Sequence, residues 1–140
     1  VRRRATRPML TSDDLVGAIR AVLGPRSGPS QFAPLFQALR IAVNDELAAV
    51  EKTLPQAVAA LRSGGRCAVI SFHSLEDRIV KEYFREQSKD LINPPYERIY
   101  EVERKAVVKI INKKPITASD EEIKDNPRAR SAKLRIVEKL

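Results

Sequence analysis

Apolar residues recur at helical spacing from Leu15 through Ile19 to Val22, behind a polar Thr11-Ser12-Asp13-Asp14. That start offers an N-cap and acids for the positive end of a helix dipole, and Gly24-Pro25 ends the run. Pro25 to Ser30, with two prolines and a glycine, reads as loop. From about Leu35 to Leu61 the stripe Phe36, Leu39, Val43, Leu47 and Val50 predicts a long helical stretch, which Pro55 is expected to divide. Ser63-Gly64-Gly65 closes it. The apolar run Arg66–Ser71 then reads as a buried strand, and Ser74-Leu75-Glu76-Asp77 as the cap of a helix that turns Ile79, Val80, Tyr83 and Phe84 inward. Two more strands are predicted near Val107–Ile111 and Leu134–Val137, with a polar loop and one short helix between Pro115 and Arg130.

Helix, glycine turn, strand and helix in this order predict an α/β domain with a parallel sheet. Three strands make a poor doubly wound sheet, however, and no glycine-rich turn follows a strand. A cofactor-binding half, if there is one, is therefore expected to precede Val1.

Composition sharpens this picture. The 140 residues suit one domain, and 43% hydrophobic with 31% charged residues is ordinary for a globular chain. The one cysteine, Cys67, excludes an internal disulfide and a cysteine-rich zinc site, which fits a reducing compartment. No membrane span and no targeting segment is read. The formal charge of +8 favours an anionic partner, nucleic acid first, and the basic residues cluster at 1–7, at Lys113-Lys114 and at 128–135.

The densest group of reactive side chains is Ser71-Phe72-His73-Ser74-Leu75-Glu76-Asp77-Arg78, where a strand passes into a helix. Open α/β sheets place their sites at the carboxyl ends of strands. Phe72 offers a ring for a base to stack on, and His73, the only histidine, a hydrogen bond to an amine or a proton relay. The competing reading is structural, with Ser74 as cap, Glu76 and Asp77 answering the dipole, and Phe72 in the core. A Ser-His-acid hydrolase would need three triad members to meet within seven consecutive residues. No metal site is predicted, since His73 has no second histidine or cysteine near it. Gln37, Arg40 and Asn44 lie at i, i+3 and i+7 on one side of their helix and suit phosphates or base edges, or else simply face solvent. Arg128 and Arg130 match phosphate bidentately, with ion pairing to Asp120, Glu121 or Glu122 as the alternative.

Three blocks together carry a resemblance. They are Phe36-Gln37-Ala38-Leu39-Arg40-Ile41 with Asn44 and Glu46-Leu47, then Gly64-Gly65-Arg66 followed by 70–81, and finally Lys114-Pro115-Ile116 with 126–135. In this order the chain resembles the RsmH (MraW) family, S-adenosylmethionine-dependent enzymes that methylate N4 of a cytidine in the decoding region of 16S ribosomal RNA. The resemblance implies the carboxyl-terminal half of a class I methyltransferase sheet, with residues 1–34 ending an inserted helical subdomain and 35–140 completing the methyltransferase domain. Arg66–Ser71 would be the fifth strand and the last two strands an antiparallel closing pair.

On this basis His73, Phe72, Ser71 and Ser74 are expected to lie beside the target base, and Gln37, Arg40, Asn44, Arg78, Arg128 and Arg130 to contact RNA. S-adenosylmethionine would be bound mainly by a half preceding Val1, so no cofactor-binding residue is assigned and the chain alone is expected to be inactive. The resemblance implies 16S ribosomal RNA or the small subunit as partner, allows a homodimer of the full-length enzyme, and places it in bacterial cytoplasm, or in a plastid or mitochondrion of a eukaryote. A non-catalytic RNA-binding remnant is the alternative. One departure is Ser30-Gln31-Phe32-Ala33-Pro34-Leu35, where many members carry a His-Pro-Ala-Thr-Arg-type run. Asn93-Pro94-Pro95-Tyr96 matches the base-holding loop of amino-methyltransferases, but it follows a helix and a polar stretch where those enzymes have a strand, and is read as coincidence.

Overall fold

The computed structural model describes residues 5, 8–92, 102–103 and 105–140. The chain forms two compact units, residues 1–46 and 47–140.

In the first unit, α1 (Ser12–Leu23) has a reciprocal cap: the Asp14 N–H donates to Thr11 Oγ1 at 3.2 Å and the Thr11 N–H to Asp14 Oδ2 at 3.1 Å. Helix α2 (Pro29–Asn44) starts six residues earlier than the apolar stripe suggested. Proline fits a helix's first position, and Gln31 Oε1 takes the Gly28 N–H at 3.0 Å, which turns the expected loop into a helix start. Pro34 then costs one backbone bond in the second turn without ending the helix. The guanidinium of Arg20 lies 5.6 Å from the centre of the buried Phe32 ring, a cation–π contact.

The long helix is interrupted ten residues earlier than expected. Asp45 adopts a left-handed conformation (φ 52°) and donates its N–H to Ile41 O, which closes α2; Pro55 sits within α3 (Glu46–Ala60). Aspartate tolerates that backbone better than most residues, because its short side chain can bond locally.

In the second unit, α3 leads through Gly64-Gly65 into β1 (Arg66–Ser71), followed by α4 (Ser74–Gln87). A Cβ on Gly65 would lie 2.8 Å from the Arg62 carbonyl, so only glycine fits there. A short hairpin pairs β2 (Leu91–Ile92) with β3 (Val102–Glu103), and Asn93-Pro94-Pro95-Tyr96 lies outside the described residues. Then come β4 (Val108–Ile110), α5 (Asp120–Asp125), a 3₁₀ turn (Pro127–Ser131) and β5 (Lys133–Lys139).

The main sheet has the order β1-β5-β4, and both pairings are antiparallel. A parallel pair, expected from the order of elements, is not found among the described residues. Strand β1 instead lies beside the last strand of the chain, which returns in the opposite direction after a long connection. Its inner face places Cys67 and Val69 against α3 and α4, around a core of Leu54, Val58, Val80, Phe84, Val108 and Val137. The sequence reading of β1 as a buried strand is corrected here: exposure alternates along it, and Ile70 is 57% exposed. Ile70 and Ala68 stand opposite Leu134 and Ile136, so the outer face of the sheet is apolar. Lys139 secures the bottom of the unit, its Nζ donating to the carbonyls of Ala59 (2.9 Å) and Leu61 (2.6 Å) at the end of α3.

Among the described residues β1 has one strand neighbour, and an unpaired apolar edge is a template for association. The 140-residue chain is therefore expected to self-associate in sedimentation velocity, and Ile70→Lys to shift it toward monomer without lowering Tm. Unchanged sedimentation of that variant would clear the β1 edge of the role.

Candidate active site at the carboxyl end of β1

Strand β1 delivers Ser71, Phe72 and His73 to the first turn of α4. The N-cap is His73, not Ser74 as expected: its backbone is extended (φ −138°, ψ 163°), and its Nδ1 accepts the Glu76 N–H at 3.3 Å. Glu76 answers by folding its carboxylate back over the turn, where Oε2 accepts from the N–H of Phe72 (2.9 Å) and of His73 (3.2 Å). Histidine can do the work of a serine cap because an unprotonated ring nitrogen is an acceptor. The other ring nitrogen, Nε2, lies 3.2 Å from Glu76 Oε1, is buried, and makes no aligned hydrogen bond. Relaying a proton through Nδ1 would break the cap.

The four residues expected beside a substrate therefore divide. Phe72 projects outward with 57% of its surface exposed, while Ser71 is buried, its hydroxyl reaching only the Lys133 carbonyl at 3.5 Å. Ser74 is exposed at the first helical position. Neither serine hydrogen-bonds to His73 among the described contacts, so neither is activated by it as a nucleophile.

Beneath this turn lies an ion cluster that the sequence reading passed over. Arg135 Nε donates to Asp77 Oδ1 at 2.7 Å and its Nη2 to Oδ2 at 3.2 Å, with Lys133 Nζ 3.4 Å from the same Oδ2. Asp77 and Arg135 are each 8% exposed. The Arg135 hydrogen bond, helped by the charges of Arg135 and Lys133, holds the Asp77 carboxyl below the ordinary carboxylate range, against the opposing pull of burial. A signal was available in the sequence. Asp77 shares the inward side of α4 with Val80 and Phe84 at i, i+3 and i+7, and Arg135 shares a strand face with Val137. Opposite charges on two inward faces announce a buried pair.

The expected RNA-contacting residues fall in three places. Arg78 is exposed on α4. Arg128 and Arg130 are exposed on the 3₁₀ turn, and neither pairs with Asp120, Glu121 or Glu122 among the described contacts. The pairing Ser71↔Lys133 brings this turn to the same end of the sheet as Phe72. In the other unit, Arg40 and Asn44 are engaged by one carboxylate. Arg40 Nε lies 2.8 Å from Glu46 Oε1 and its Nη2 donates to Oε2 at 3.1 Å, while Asn44 Nδ2 donates to Oε1 at 3.2 Å. Gln37 is half-buried on the same helix. No helix among the described residues is long and apolar enough to cross a membrane.

Two substitutions test this construction. Asp77→Asn leaves the Arg135 charge buried without its counterpart and is expected to cost about 3 kcal/mol of stability. Because the folded pKa of Asp77 is lowered, its contribution is complete above the unfolded value of about 3.9 and is lost as pH falls through the folded value below it. Urea unfolding of the two proteins should therefore converge in acid. At the cap, His73→Ala is expected to cost about 1 kcal/mol and His73→Asn, a good capping residue, much less. Equal losses in both would show that the imidazole stabilises the turn by something other than capping.

Comparison with known proteins identifies the family. The ribosomal RNA small subunit methyltransferase H of Gemmatimonas aurantiaca is 52% identical over 135 residues, 96% of this chain and 43% of the relative. The proteins of that name from Heliobacterium modesticaldum and Heliobacterium mobile are 52% and 51% identical over 143 positions, covering the whole chain and 46% of each relative. The chain thus spans less than half the length of these relatives. Its match to the MraW methylase family runs from residue 1 to residue 140, and the chain belongs to that family.

Proposed function

We infer that the chain is the carboxyl-terminal, substrate-facing portion of an S-adenosylmethionine-dependent enzyme that methylates N4 of a cytidine in the decoding region of 16S ribosomal RNA, in the bacterial cytoplasm. The observation that carries this reading is the exposed Phe72 ring, fixed by Glu76 at the end of β1, with the free guanidinium groups of Arg128 and Arg130 at the same end of the sheet. An aromatic face beside phosphate-matching cations suits an extruded nucleotide, whose base stacks while its backbone is neutralised.

S-adenosylmethionine is the methyl donor that the family implies, and the described residues do not make a cradle for it. The turn after β1 has no glycine, Glu76 is spent on the cap and Asp77 on Arg135, which leaves no carboxylate there for a ribose. The cofactor is accordingly assigned to the part of the relatives' length that this chain does not span. What these residues supply is positioning. Phe72 holds the base, the His73–Glu76 clasp holds Phe72, and Arg78, Arg128 and Arg130 take phosphates. In the first unit Arg40, Asn44 and Gln37 are proposed as further RNA contacts, with Glu46 setting the guanidinium's direction.

The test is methyl transfer to small ribosomal subunits by the complete native protein, with nucleoside mass spectrometry to locate the methyl group. Phe72→Ala is expected to lower kcat/KM by about 10- to 100-fold, the worth of one stacked base, and Phe72→Tyr to retain most of it. Turnover unaffected by Phe72→Ala would remove the ring from the site. Binding of small subunits without any methylation would leave an RNA-binding protein in place of an enzyme.

A further inference from the structure

A cavity of about 330 Å³ opens between α4 and the β4–β5 edge of the sheet, on the flank of the unit and apart from the turn that carries Phe72. Its volume lies at the small end of sites that hold a ligand. Phe84 and Ile110 form apolar lining, and the cations Lys81, Arg85 and Lys113 stand around it. All three cations are exposed, and none has an ion pair among the described residues. The fourth lining cation, Arg135, is neutralised by Asp77. Glu82 and Glu86, the neighbouring acids on α4, do not line it.

The cations are also set in place. Lys81 and Arg85 are four residues apart on one side of α4, so their side chains run together. Lys113 lies in a turn fastened by Asn112, whose Nδ2 donates to the carbonyls of Lys114 and Leu134 at 2.9 Å each, and whose Oδ1 accepts the Ile136 N–H at 2.7 Å. Three unpaired positive charges held around an apolar floor suit a polyanion that also carries uncharged rings. Arg78 lies one turn before Lys81 along the helix and continues the basic line toward the turn at Phe72.

We propose that this groove binds single-stranded ribosomal RNA flanking the target nucleotide, with Lys81, Arg85 and Lys113 on successive phosphates and a ribose against the apolar floor. The proposal rests on the RNA-methylating function above and adds a second RNA contact to it. Phosphates fit better than an acidic peptide, because all three cations are free while the lining hydrogen-bond groups of Asn112 are already used, so charge and not directed hydrogen bonding does the recognising.

The experiment uses the complete native protein with Lys81→Ala, Arg85→Ala and Lys113→Ala combined, a fluorescein-labelled single-stranded RNA of the decoding-region sequence, and salt from low to physiological. The log–log salt dependence should become shallower by about 2, three contacts at roughly 0.7 each for a single strand. KM for small subunits should rise at least about tenfold with kcat retained, as for loss of uniform binding. A control pair on α3, Lys52→Ala with Gln56→Ala, should change neither. An unchanged slope and KM in a triple variant of normal Tm would overturn the groove while leaving the methyltransferase reading intact. Loss of poly-glutamate binding with an unchanged RNA slope would also overturn it, in favour of a protein-docking surface. An unsubstituted protein that methylates no ribosomal RNA would overturn the function and this assignment with it.

Discussion

The bidentate pair between Asp77 and Arg135 joins two residues far apart in the chain and fixes how the second unit is assembled. Asp77 belongs to the first turn of α4 and Arg135 to β5, and β5 is the strand on which both β1 and β4 are hydrogen-bonded. A buried ion pair contributes little net stability compared with apolar packing, because both charges must leave water. Its value here is directional. A one-residue slip of β5 would carry Arg135 to the outer face and leave Asp77 buried alone, so the pair selects the register in which Val137 meets the core.

That register determines what the turn after β1 can do. With α4 fixed from below and β1 held by β5 from the side, the few residues between them have little freedom. The His73–Glu76 clasp removes most of what is left, since one carboxylate oxygen receives two successive N–H groups. Phe72 is then the one side chain of the turn that is both large and exposed, on a backbone whose ordering was completed on folding. A ring presented in this way offers a stacking face without the entropic cost of organising a loop. The histidine that looks catalytic by its rarity serves this arrangement as a cap.

The local patterns in the sequence were largely legible. The Thr11 cap, the Gly64-Gly65 turn, the inward face of α4 and the positions of β4 and β5 follow from spacing and side-chain chemistry. What could not be read depends on contacts between distant segments. Pro55 looked like a helix break, yet the break lies at Asp45, where the backbone turns left-handed and Glu46 gathers Arg40 and Asn44. The apolar run of β1 suggested a buried strand, yet only one face is covered. Composition says how apolar a strand is, and tertiary structure says which face finds cover. The candidate site was legible as a place, since a polar cluster after a strand marks it, but the roles within it were not, because a capping imidazole and a reactive one have the same sequence.

The arginines show the same limit from the side of charge. A net charge of +8 states that the surface is basic without saying where a polyanion could lie. The contacts sort the cations. Arg135 is buried against Asp77, Arg66 pairs across the sheet with Glu138 at 2.9 Å, Arg40 is held by Glu46, and Arg20 rests over Phe32. Those four charges stiffen the fold and are largely answered locally. Arg128 and Arg130, with Lys81, Arg85 and Lys113, have no such partner among the described residues, and all belong to the unit that carries Phe72. An unpaired cation near a protein surface keeps its field for a ligand, whereas a paired one adds little beyond about a Debye length of some 10 Å. The surface with charge left over for a polyanion is therefore smaller than the basic composition suggests, and it is set by which cations the fold has left unpaired.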